Sequence, residues 1–402
     1  MNYYEAMGLP KKLGIYIHIP FCKSKCAYCD FNSSVPASKQ VMSSYVSALI
    51  AHMESYKASV ADGYQTDTVF IGGGTPTVLP KDDLCRLVKA ARKIFSLPKD
   101  AEFTVEANPA TVTYSTLKRL KRLGVNRLSI GLQSAHENEL KALGRIHTRQ
   151  EFARTFRMAR EARFDNINVD LMFGIPEQTV DSLLHTLTYL TRHGPDHISL
   201  YDLKIEPGTR FYENYAEIAP YLPGEDLEAD MYLAAIRFLK DRGYVQYEIS
   251  NFCHPGKGCL HNLKYWNCEE YLGFGVSAHS YFNGQRFSFT PDTETYIQGV
   301  AVKDSKVTIT AECEEIGERD RIGEYIMLRL RLCDGIDDRE FMHRFGYSFK
   351  ALYGDKCRRY VKMGYMTING GNIALTPAGM FVSNSILSDI LDFDSLGHFK
   401  FS

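Results

Sequence analysis

Between residues 14 and 203 the chain alternates short β-branched runs with helical patterns six times, and this alternation limits the fold more than any other feature. GIYIHIP (14–20), DTVFIGG (67–73), EFTVEA (102–107), RLSIGL (127–132), INVDLMFG (167–174) and HISLYDL (197–203) read as strands bounded by turns. The intervening stretches carry the 3.6-residue period over 38–58, 81–95, 113–123, 150–163 and 179–193, with a further helix over 224–242. On 81–95, for example, Leu84, Leu87, Val88, Ala91 and Ile94 share one face. Consecutive β/α units predict a parallel sheet with helices outside it. The expected fold class is α/β, a partial (β/α)6 barrel, whose reactive residues gather at the C-terminal strand ends.

The chemically notable residues fall at those ends. PFCKSKCAYCDF follows the first strand and holds Cys22, Cys26 and Cys29. GGGTP follows the second, Glu106 ends the third, Gln133 ends the fourth, and Asp170 lies in the fifth. Three close thiolates suit three irons of a cubane cluster, leaving the fourth iron open to a small molecule. Zinc, which wants a fourth ligand nearby, and plain buried thiols are the alternatives that spacing alone leaves open. GGGTP is not a phosphate-binding loop, because no Gly-Lys-Ser/Thr follows it.

The rest of the chain sets bounds. Its 402 residues are 45% hydrophobic and 24% charged with a net charge of -1, ordinary for a chain that buries a large core and without a general electrostatic hold on nucleic acid or anionic lipid. MNYYEAMGLPKK lacks the apolar region of a signal peptide, and no apolar run approaches a membrane span. A cytoplasmic location and reduced cysteines are expected. Residues 1–243 form the core in this reading, 244–310 an extension packed on it, and 311–402 a winged-helix-like α+β module ending in a hairpin around Asn-Gly-Gly. From 317 to 402 there are 12 Lys/Arg against 11 Asp/Glu, too even a balance for a DNA-binding face. Covering the barrel mouth or docking a partner is the expected role.

YIHIPFCxxxCxYCDF, GGGTP, EANP, RLSIGLQS, LGRIH and NVDLMFGIPxQ occur in an order that resembles the radical S-adenosylmethionine (SAM) family, in its oxygen-independent coproporphyrinogen III oxidase branch. Within that branch the chain most resembles heme chaperones of the HemW type. The resemblance implies that Cys22, Cys26 and Cys29 ligate a [4Fe-4S] cluster and that SAM binds the open iron. It places Tyr16, Gly73, Gly74, Thr75 and Glu106 beside SAM, and matches Gln133, Arg145 and Asp170 to positions lining a second SAM site in the oxidases. It implies an electron donor to the cluster and formation of a 5'-deoxyadenosyl radical on SAM cleavage.

Two departures bear on activity. The oxidases carry another cysteine two positions after the third, where this chain has Phe31, and an N-terminal extension that the position of Cys22 leaves no room for. Both put coproporphyrinogen III dehydrogenation in doubt and match the chaperones. HNLKYW (261–266), containing Trp266, the only tryptophan, matches the HNxxYW pattern that the resemblance associates with heme, so His261 is the expected heme contact. The partners implied are heme and a heme-accepting protein such as a membrane-bound respiratory enzyme, with no nucleic acid. A radical oxidoreductase acting on a tetrapyrrole is the alternative. Cys253, Cys259 and Cys268 fit no standard zinc spacing and belong to no motif of the resemblance.

Overall fold

The computed structural model describes residues 10–109, 111–301 and 309–392. The leader-free reading of 1–9, part of the extension at 302–308 and the end of the last module at 393–402 lie outside the described residues.

Six parallel strands, β1 (Lys11–Ile19), β2 (Tyr64–Gly73), β3 (Glu102–Ala107), β4 (Arg127–Gln133), β5 (Ile167–Phe173) and β6 (His197–Asp202), pair in sequence order. Helices Lys39–Ala61, Lys81–Ile94, Tyr114–Arg122, Arg149–Glu161 and Val180–Thr191 occupy the connections. Thr113, Thr148 and Thr179 cap the last three, each accepting a backbone N–H of the first turn. Side-chain alternation sorts the two faces. Ile15, Ile17, Val69, Ile71, Phe103, Val105, Leu128, Ile130, Val169 and Leu171 join the main apolar core. The opposite face is polar, with Thr68, Thr104, Arg127, Ser129, Asn168 and His197 all buried.

The barrel does not close. Beyond β6 the sheet continues antiparallel through β8 (Asn251–Cys253) and β7 (Val245–Gln246). Beyond β1 it continues through β9 (Tyr271–Phe274), β10 (His279–Phe282), β11 (Gln285–Phe289) and β12 (Thr310–Glu315). The extension therefore flanks the parallel strands on both sides, and one outer edge, β12, falls at the start of the last module. Between β8 and β9 the chain passes from one edge to the other, and helix Leu260–Trp266 lies in that passage.

That helix closes the N-terminal end of the barrel. The Glu102 carboxylate, at the start of β3, accepts the backbone N–H of Leu260 (2.9 Å) and of His261 (3.0 Å). Lys264, buried, pairs with Asp67 (2.8 Å) and Glu269 (2.9 Å). Gly14 makes room for the helix, since a Cβ there would meet Lys264 Cδ at 2.9 Å and His261 Cε1 at 3.4 Å.

The last module has the expected order of helices Glu318–Arg329, Asp338–Phe345 and Phe349–Lys362, then a hairpin of β14 (Met366–Asn369) and β15 (Asn372–Leu375), with the short β13 (Ile336–Asp337) on β15. Its first helix packs on Leu260–Trp266 and a bridge joins Leu332 to Glu248. Its later helix Pro377–Phe381 packs on helix Glu225–Lys240, and none of the module's described residues lines the cysteine cavity described below. Among the described residues no helix is long and apolar enough to cross a membrane.

Candidate functional site

The cysteine loop leaves β1 and is anchored on both sides. Cys22 N–H donates to Ser34 O (2.9 Å), and Ser34 N–H to Pro20 O (2.9 Å), closing the loop's base. Ala27 N–H donates to Leu143 O (2.9 Å), and Phe211 N–H to Ala27 O (3.0 Å), tying its middle to the far side of the barrel. Ala27 also joins a separate apolar cluster with Leu143, Met172, Ile175, Leu203 and Phe211. The loop thus has a small core of its own, which holds its backbone without committing its thiols.

The three thiols face a cavity of about 550 Å³ at the C-terminal strand ends. Gly73, Gly74, Thr75, Glu106, Gln133, Arg145 and Asp170 line the same cavity, so seven expected SAM contacts and the three cysteines come together. Among the described residues no three His, Cys, Asp or Glu side chains already stand as a metal-holding group. Cys22 and Cys26 nevertheless lie close enough to Cys29 to push its thiol pKa up, after burial, the larger cause.

The GGGTP turn docks on the cysteine strand. Gly74 N–H donates to Ile19 O and Thr75 N–H to Phe21 O, each at 2.8 Å. A Cβ on Gly74 would stand 2.8 Å from both Ile19 O and Phe21 O, so only glycine permits this approach. Gly73 has φ 105° and donates its N–H to Glu106 Oε2 at 3.1 Å. Thr75 Oγ1 lies 3.5 Å from Cys22 Sγ and accepts from Asn108 Nδ2 at 2.6 Å. Asn108 Oδ1 accepts from Arg145 at 2.6 Å, and Arg145 Nη1 lies 3.5 Å from Cys26 Sγ. Thr75, Asn108 and Arg145 thus form a chain from one cysteine to another.

The carboxyls on the cavity floor are shifted toward the neutral form. Burial, then the charge of Asp170, pushes Glu106 up to about 8, against the opposing Gly73 N–H. Burial also raises Asp170, although Ser129 (2.9 Å) and Asn168 (2.8 Å) donate to it. Gln133 follows a register shift between β4 and β5, has φ 63°, and leaves Oε1 buried without a partner. An unsatisfied buried acceptor, and buried carboxyls that a nearby positive charge would help to ionise, suit a polar, cationic ligand.

Two expected residues do not line this cavity. Tyr16 is on β1, with its hydroxyl 3.0 Å from His18 Nδ1, near enough to Glu106 to feel its charge. His261 lies at the other end of the barrel. Its Nδ1 is 2.9 Å from Thr68 Oγ1, its Nε2 is 2.9 Å from Tyr265 OH, and its ring stacks on Phe70. Burial, then Lys264 and Arg127, pushes its pKa down to about 3, so the imidazole is neutral. Cys253 and Cys259 are buried and Cys268 is half-buried.

Residues 16–190 match the Radical SAM superfamily and residues 316–382 the HemN C-terminal domain. The chain is 36% identical to the heme chaperone HemW of Bacillus subtilis (strain 168), over 94% of this chain and 98% of that one. It is 34% identical to the heme chaperone HemW of Escherichia coli (strain K12), over 93% of this chain and 97% of that one. The chain belongs to the HemW family of radical SAM proteins.

The chain shares its fold with the coproporphyrinogen III oxidase HemN of Escherichia coli: the two structures agree with a TM-score of 0.82 at 24% identity, over 96% of this chain and 91% of that one. The radical SAM fold implies a [4Fe-4S] cluster and SAM. Against that family background the cavity adds Asn108, Tyr28 and His147, which sequence reasoning did not single out. Each sits inside a motif already recognised: Asn108 in EANP, Tyr28 in CxYC and His147 in LGRIH.

Proposed function

We propose that this protein is a heme chaperone, which binds heme and passes it to an acceptor such as a respiratory enzyme. The near full-length relationship to proteins named heme chaperones carries this reading. Phe31 supports it: the position of the oxidases' further cysteine holds a phenyl ring, 59% exposed at the rim of the cysteine cavity.

Cys22, Cys26 and Cys29 are proposed to hold the [4Fe-4S] cluster, with Gly73, Gly74, Thr75, Glu106, Gln133, Arg145 and Asp170 as the SAM contacts. When bound, the cluster and SAM supply one-electron cleavage of a carbon–sulfur bond. The chain's own part is positional. Arg145 and Thr75 orient two of the cysteines, Glu106 offers a carboxyl to a cationic ligand, and the Gly74 backbone permits close approach. Heme contact by His261 stays part of the proposal, and it requires the hydrogen bond to Tyr265 or Thr68 to break first.

A second reading has one observation in its favour. Seven of the eight expected SAM contacts line the cavity, as a radical oxidoreductase acting on a tetrapyrrole requires. Heme-loaded protein mixed with a heme-free acceptor, in parallel with anaerobic assay of coproporphyrinogen III and SAM, separates the two. Transfer without porphyrinogen consumption supports the chaperone; consumption coupled to 5'-deoxyadenosine release supports the enzyme and overturns the chaperone assignment.

A further inference from the structure

A line of polar side chains runs down the inner face of the barrel from the floor of the cysteine cavity. Strand alternation puts Asn168 and Asp170 on that face of β5, and His197 and Ser199 on that face of β6. The register sets Asn168 beside His197 and Asp170 beside Ser199, with Ser129 of β4 on the other side of Asn168. Asn168, His197 and Ser199 are buried, and Tyr247 reaches His197 from the turn between β7 and β8. Asp170 and Ser129 line the cysteine cavity, whereas Asn168, His197 and Tyr247 do not.

Asn168 fixes the direction of every bond in this line. Its Nδ2 donates to Asp170 Oδ1 (2.8 Å) and to Ser129 Oγ (2.7 Å). Its Oδ1 must then accept, from His197 Nδ1 (2.6 Å) and Ser199 Oγ (3.1 Å). Burial, then the charge of Arg127, pushes the His197 pKa well below its ordinary value, so the ring is neutral. A neutral ring that donates through Nδ1 presents a lone pair at Nε2, and the Tyr247 hydroxyl donates to it at 2.7 Å. Tyr247 in turn accepts the backbone N–H of Cys259 (3.3 Å), the residue that opens helix Leu260–Trp266. Each donor therefore points toward Asp170. Ser129 Oγ completes the clamp by donating to Asp170 Oδ2 (2.9 Å), so both carboxyl oxygens are held by donors that Asn168 orients.

We propose that His197 and Tyr247 are positioning residues of the SAM site, acting through Asn168 to hold the Asp170 carboxyl toward the cavity. Hydrogen bonds aligned in one direction polarise one another, so removing the far end weakens the donor at the near end. This rests on the reading of Asp170 as a SAM contact and extends it to two residues outside the cavity.

The test is SAM binding to the cluster-reconstituted full-length protein by equilibrium dialysis, with iron content and circular dichroism measured alongside. The variants are Tyr247→Phe, His197→Leu and His197→Gln, each alone and combined with Asp170→Asn. Tyr247→Phe keeps the ring and removes only the hydroxyl, so it carries the test if His197→Leu fails to fold. Tyr247→Phe and His197→Leu are each expected to weaken SAM about fivefold, the scale of one neutral hydrogen bond. His197→Gln, whose amide can donate to Asn168 and accept from Tyr247, is expected to bind SAM nearly as wild type does. In the Asp170→Asn background none of the three is expected to weaken SAM further. Equal losses in that background, or a loss in His197→Gln as large as in His197→Leu, would show action through the fold and overturn the proposal. Tyr247→Phe that binds SAM as wild type does, with Asp170→Asn impaired, overturns the positioning role and leaves Asp170 a SAM contact. Asp170→Asn that binds SAM as tightly as wild type overturns both.

Discussion

Arg145 and Cys26 face each other across the cavity mouth, with Nη1 3.5 Å from Sγ, and the same guanidinium donates to Asn108 on the far wall. Burial opposes the charge of Arg145, but Tyr28 and Cys26 favour it strongly enough to raise its pKa.

Arg145→Met is accordingly expected to retain the fold and the iron content while weakening SAM binding at least about tenfold, the scale of one lost charge-assisted contact. Iron and sulfide analysis, with equilibrium dialysis of SAM, checks this. Unchanged SAM affinity would remove Arg145 from the site.

Glu106 gives the site a pH signature. With its carboxyl near 8, the ionised fraction rises across that value, and SAM binding through the carboxylate should tighten about tenfold between pH 7 and pH 9. Glu106→Gln should flatten that profile. An equally steep profile in the variant would show that another group titrates.

Gly74→Ala tests the docking of the turn. The added methyl meets two backbone carbonyls at 2.8 Å, which cannot rotate away as a side chain can. A loss of about 1–3 kcal/mol in stability is expected from overpacking, with poorer cluster loading on reconstitution. Urea unfolding and the visible spectrum read the two effects.

Glu248 supplies a stability prediction away from the cavity. It is fully buried beside the last module, and burial lifts its pKa to about 7 despite the Ser250 backbone and Arg331. The folded state therefore holds the proton more tightly than the unfolded chain, so stability is present at low pH and declines as pH rises from the ordinary carboxyl value through about 7. Glu248→Gln should remove that decline and gain about 1–3 kcal/mol at pH 8. A parallel pH dependence in both proteins, by thermal unfolding, would contradict it.

The sequence made much of this site legible for local reasons. Strands and helices of the first half show their periods within single segments, so β3 was expected at its observed bounds and the others to within a few residues. Strand order then carries the cysteine loop, GGGTP, Glu106 and Asp170 to one end without further information. The parts that escaped depend on pairing between distant short segments. β8 joins β6 and β9 joins β1 through three or four residues each, too few to show a period. Those pairings send HNLKYW beneath the barrel and separate His261 from the cluster loop. Tyr16 escaped for another reason: the alternation on β1 puts it on the polar inner face, but its depth below the cavity depends on Glu106 and His18.

The central claim, that this member of the HemW family handles heme, is tested most directly by hemin titration of the anaerobically cluster-reconstituted protein, followed at the Soret band. Saturable binding of one hemin per chain is the predicted result. A linear, unsaturating response identical to that of a non-heme control protein would contradict it.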